Sequence, residues 1–130
     1  MRRFLWLERG FVHGPYYTLC LNEKDFKAAL KHLECKTDTS FLSREQANAT
    51  THFMLDPKGK QCAIVCMGSW ADQTGISIAG LLVHEATHIF QEWCEHNGEH
   101  TPGREFEAYS IQWLSQQLMW EFERQTKKRQ

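Results

Sequence analysis

A chain of 130 residues carries enough apolar surface for one compact domain and not for two. Its formal charge of −1 gives no overall pull toward nucleic acid or anionic lipid, and no apolar run is long enough to span a membrane. Five Trp and eight Phe point to an aromatic-rich core. Cys20, Cys35, Cys62, Cys66 and Cys94 are odd in number and contain no C-x-x-C pair, so they read as structural thiols in a reducing, cytoplasmic setting. The basic start, Met1 to Arg9, has only four apolar residues before Glu8, too few for a signal peptide.

In chain order, Phe4–Leu7 and Tyr16–Leu21 are apolar runs split by His13-Gly14-Pro15, which predicts a loop followed by a short strand. Asn22 is a good N-cap for a helix over Glu23–Leu33, with Phe26, Ala29, Leu30 and Leu33 on one side and Lys24, Lys27 and Lys31 outside. Lys36–Ala49 is polar and aperiodic, a loop. Thr50–Leu55 and Gln61–Met67 flank Asp56-Pro57-Lys58-Gly59, so they form a hairpin on a type I turn, the second strand lying deeper. Cys62 and Cys66 share one face of that strand.

Gly68–Gly75 is a connection, and Thr74 or Ser77 caps the next helix. Ile78, Leu82, Ala86, Ile89 and Trp93 trace its apolar stripe, Leu81 and Phe90 widen it, and little of the helix is left for water. Asn97-Gly98 ends it. Thr101-Pro102 then predicts a last helix from Pro102 to about Arg124, with Lys127-Lys128-Arg129 as a solvated tail. The fold class expected is α+β: a small single domain over residues 1–130, with a short antiparallel sheet packed on the central helix and the last helix.

The central helix carries His84-Glu85-Ala86-Thr87-His88, the pattern H-E-x-x-H. Residues four apart share a helix face, so His84 and His88 can offer two imidazole nitrogens to one Zn²⁺, while Glu85 reaches a water in an open coordination position. The bland alternative is a buried helix that happens to carry these three residues. Four of the seven histidines fall between His84 and His100, which supports metal binding. A catalytic zinc needs a third protein ligand. Cys94 stands where a metzincin would have its third histidine, and His96, eight residues beyond His88, points away. His100, Glu105 and Glu107 are the candidates. On a helical wheel Glu107 falls among Ile111, Leu114 and Leu118, toward the core. Glu105 shares a polar stripe with Tyr109, Gln112 and Gln116, either solvent-facing or the wall of a cleft.

H-E-x-x-H followed by a glutamate on the next helix resembles the gluzincin metallopeptidases. Glu105-Phe106-Glu107-Ala108-Tyr109 looks like the E-x-E-A-[D/N] segment of intramembrane-type and phage-immunity-type gluzincins. Residues 74–120 are similar to small phage and prophage metallopeptidases, and the single-domain size to the minigluzincins; the first half resembles nothing nameable. The resemblance implies a zincin-like fold with His84, His88 and Glu105 as metal ligands, whereas the spacing of aminopeptidase-type gluzincins would choose Glu107. It departs at Tyr109, where relatives often have an Asp or Asn that supports a zinc histidine. Tyr109 is instead the sequence-local transition-state donor, with His100, Tyr16 and Tyr17 as others.

The activity this implies is zinc-dependent hydrolysis of a peptide or protein substrate, Glu85 moving the proton from the attacking water to the leaving amine. An edge strand beside the active helix, Gln61–Met67 or a neighbour, would pair with the extended substrate. The phage-like resemblance implies the host cytoplasm. Two other readings compete. One is a catalytically silent, zinc-stabilised binding module. The other is a metal-free helical interaction protein, for which the aromatic last helix (Phe106, Tyr109, Trp113, Trp120) offers a homodimer surface.

Overall fold

The computed structural model describes residues 3–7, 14–36, 39–44 and 47–127. His13, most of the loop that precedes it, and Lys128–Arg129 of the basic tail lie outside the described residues. The elements run β1 (Tyr16–Cys20), α1 (Glu23–His32), β2 (Ala49–Leu55), β3 (Gln61–Met67), α2 (Gly75–His96) and α3 (Arg104–Thr126), with a single 3-10 turn at Trp70–Asp72. The class is α+β, as expected. No helix among the described residues is long and apolar enough to cross a membrane.

The sheet order is β1-β3-β2, and the sheet is mixed rather than antiparallel. Strand β2 pairs antiparallel with β3, from Ala49 opposite Met67 to Leu55 opposite Gln61. Strand β1 runs parallel to β3, from Tyr16 beside Cys62 to Cys20 beside Cys66. A parallel neighbour needs a crossover, and α1 supplies it. The apolar pattern of β1 carries no information on strand direction, which is why the sequence suggested the simpler sheet. Being central, β3 is buried from Cys62 to Met67.

Period-two alternation sends the two faces of β3 into different cores. Ala63, Val65 and Met67, with Tyr17 and Leu19 of β1, meet Ile78, Leu82, Ala86 and Ile89 of α2 and Leu114 and Leu118 of α3. Cys62, Ile64 and Cys66, with Cys20, meet Phe26, Ala29, Leu30 and Leu33 around α1. The five cysteines are free. Burial pushes the Cys20 thiol up to about 12 and Cys62 to about 11, so these sulfurs are protonated, inert core atoms.

Local signals set the boundaries. The Asn22 side chain accepts from the Asp25 N–H at 2.8 Å, capping α1. In the hairpin turn, Gly59 N–H reaches the Asp56 carbonyl at 2.8 Å, and Gly59 takes φ +79°, open to glycine without strain. Thr74 caps α2 by accepting from Ser77 N–H. Glu99 N–H bonds the Cys94 carbonyl with Gly98 at φ +73°, a Schellman stop after Asn97. Helix α3 begins at Arg104 with Gly103 as N-cap, two residues later than Thr101-Pro102 predicts. Glycine is an acceptable N-cap, and the extra residues lengthen the return loop of the αα-hairpin.

A buried acid pins the chain start to α3. Glu121, 3% exposed, accepts from Leu5 N–H at 3.1 Å, from the Gln125 amide at 2.9 Å and from both ends of the Arg124 guanidinium fork. Gln125 also donates to the Leu19 carbonyl at 2.8 Å, and Thr18 donates to the Leu5 carbonyl at 2.6 Å. Leu7 bridges to Tyr17. The outer side of β1 is thereby covered, and β2 is the other edge of the sheet.

Candidate metal centre

Helix α2 lies across the sheet with its apolar stripe down and a polar face out. Ile78, Leu82, Ala86, Ile89 and Phe90 are buried, as the pattern predicts. His84 and His88 are exposed, as are Val83, Gln91 and Glu92. More of the helix is in water than the sequence suggested, because only the sheet and α3 cover it.

The two histidines converge. Their Nε2 atoms stand 3.1 Å apart, the rings edge to face with centroids 4.7 Å apart. Two nitrogens bound tetrahedrally at about 2.0–2.1 Å from one zinc would be separated by roughly 3.3 Å. The pair therefore already holds close to the spacing of a shared ion. On the other side of its ring, His88 Nδ1 lies 3.1 Å from Gln91 Oε1.

Glu85 is turned toward β2. It is 5% exposed, and its Oε2 accepts a hydrogen bond from the Thr51 hydroxyl. Thr51 is the third residue of the edge strand, so one contact ties the acid of the motif to the strand beside it. His84 and Glu85 line a groove of about 650 Å³ together with Gly80 and Leu81 of α2 and with Asn48 and Ala49 at the start of β2. A second depression of about 610 Å³ follows β2 from Thr51 to Leu55.

The remaining candidates are more dispersed. Glu105 and Glu107 occupy the first turn of α3, where the helix N-terminus favours carboxylates. Both are exposed. The wheel placed Glu107 toward the core, but no residue of α3 before Ser110 is buried, since the first turn runs past the end of the core. Phe106 packs there against Phe90 and Trp93, at centroid distances of 5.6 and 5.9 Å. Among the described residues no group of three or more His, Cys, Asp or Glu is placed to hold a metal ion. The structure thus brings His84 and His88 together, sets Glu85 beside them, and leaves Glu105 outside a joint set.

Tyr109 is 66% exposed and makes no hydrogen bond to either histidine among the described residues. His96 and His100 are exposed at the end of α2 and in the loop beyond it. Tyr17 is fully buried in the core, and Tyr16 lies under Lys60 on the β1 side of the sheet, which removes both as donors at this site. Strand β3 is central and so is unavailable to an added strand; the edge beside α2 is β2. Sequence reasoning missed Thr51 and Gln91. Gln91, three residues past His88, was within reach of helical spacing; Thr51, 34 positions from Glu85, was not.

Comparison with protein-family models, curated proteins and solved structures finds no match to this chain.

Proposed function

We infer that this protein is a zinc-dependent peptidase of gluzincin type, acting on an extended peptide or protein segment. The observation that carries the reading is the pair of Nε2 atoms 3.1 Å apart, with the acid between them in sequence held buried against the edge strand. His84 and His88 would hold the ion, and Glu105 would complete the set from the first turn of α3. When bound, zinc supplies a Lewis acid that polarises a carbonyl and acidifies water. The rest falls to the chain. Glu85 accepts the proton of the attacking water and returns it to the leaving amine, so that the peptide C–N bond breaks with no net proton change. Thr51 keeps the Glu85 carboxylate aimed. Strand β2, which no further strand pairs among the described residues, would offer backbone groups to an extended substrate, and the groove between α2 and Asn48–Ala49 would give it room beside His84.

Glu85→Gln keeps size and hydrogen-bonding capacity but removes the base. It should bind zinc like the parent and lose about 10²–10⁴-fold in turnover on unfolded protein substrates. Equal turnover in parent and variant would rule out Glu85 as the base. Glu105→Ala should lose zinc and Glu107→Ala should keep it; the opposite outcome moves the third ligand to Glu107.

The exposed first turn of α3 supports a second reading, in which the same scaffold is a zinc-stabilised binding module without turnover. In that case the parent and Glu85→Gln are equally inactive and equally stable with zinc.

A further inference from the structure

Resting on the zinc reading above, we propose that Gln91 is the positioning residue for the metal site: its side-chain carbonyl fixes His88 in the tautomer that leaves Nε2 free to bind the ion. A neutral imidazole has one N–H and one lone pair, and whichever nitrogen donates a hydrogen bond leaves the other able to ligate. Gln91 Oε1 lies 3.1 Å from His88 Nδ1 and is an acceptor only. It therefore places the proton on Nδ1 and the lone pair on Nε2. That same Nε2 faces His84 Nε2 at 3.1 Å. The two contacts agree: with His88 accepting at Nε2 and His84 donating, only His84 would need to move its proton, from Nε2 to Nδ1, for both Nε2 atoms to serve as ligands.

The acceptor comes from one turn beyond His88 on its own helix, α2. His84 has no such acceptor among the described residues, so the site is asymmetric. His88 is the pre-oriented ligand, and His84 adjusts to it.

Gln91 is exposed, so its replacement should leave the fold intact. The variant that tests the idea is Gln91→Met, which keeps length and neutrality and removes the acceptor. Zinc affinity, measured by competition with a chelating dye at pH 7.5, should fall about 10–100-fold with the metal-free melting temperature unchanged. Gln91→Glu should restore affinity to the parent value or better, beyond any change seen when charge is altered next door in Glu92→Gln. In metal-free protein, imidazole ¹⁵N shifts should show the His88 proton on Nδ1 in the parent and on Nε2 in Gln91→Met.

If the parent binds zinc and Gln91→Met binds it within threefold, Gln91 has no positioning role. A parent His88 protonated on Nε2 would overturn the assignment without touching the zinc reading. If neither the parent nor His84→Ala binds zinc, the zinc reading itself falls and the proposal falls with it.

Discussion

Two carboxylates are buried to nearly the same degree, Glu85 at 5% and Glu121 at 3% exposure, and they are treated in opposite ways. Glu121 sits in a complete shell: a backbone N–H, an amide and a two-pronged guanidinium. Its partnered guanidinium is held firmly charged, with the Arg124 pKa raised by the hydrogen bonds to Glu121. Every lone pair that matters is occupied, so the group can only hold structure. Glu85 accepts one hydrogen bond, from Thr51, and no Lys or Arg pairs with it among the described residues. Its other oxygen remains available to accept a proton. Glu121, with its shell filled, is a staple; Glu85, with an oxygen unclaimed among the described residues, is the acid that the proposed reaction would use.

Removing each acid in turn sharpens that contrast. Glu85→Gln should cost about 10²–10⁴ in turnover and change the denaturation midpoint little. Glu121→Ala should reverse the pattern. It leaves Arg124 unpaired and frees the Arg3–Leu7 segment, for a loss of about 2–4 kcal/mol in unfolding free energy, read by urea denaturation. Zinc content per folded molecule should not change. A variant Glu121→Ala that folds as stably as the parent but fails to bind metal would invert the roles assigned to the two acids.

Thr51→Val tests the single contact that Glu85 does have. The substitution preserves shape and removes the donor, which is worth about 0.5–1.5 kcal/mol, so turnover should drop roughly two- to tenfold, with Thr51→Ser restoring it. An unchanged rate in Thr51→Val would mean that Glu85 is held by its helix alone.

Legibility in the sequence followed the range of the interaction. Asn22, Thr74, Gly59 and Gly98 act within a few residues of themselves, and the element boundaries they set were readable from spacing. So were the buried stripe of α2 and the convergence of His84 with His88, both products of the helical period. The parallel pairing of β1 with β3 was not, because a strand's apolar pattern is the same read in either direction. Nor was the late start of α3, where two adjacent cap signals compete. Glu107 misled the wheel because a wheel knows angle and not depth: the arc was right, but the core beneath had already ended. The Glu121 shell and the Thr51–Glu85 contact join residues 116 and 34 positions apart, and nothing local marks either.

The central claim, that His84 and His88 share a zinc ion, is tested most directly by titrating metal-free protein with zinc in a calorimeter and following the melting temperature alongside. One site per chain is expected, with a melting temperature that climbs as free zinc exceeds the dissociation constant, and with both signals lost in His84→Ala. A folded parent protein that takes up no zinc, or a His84→Ala variant that takes it up equally well, would contradict it.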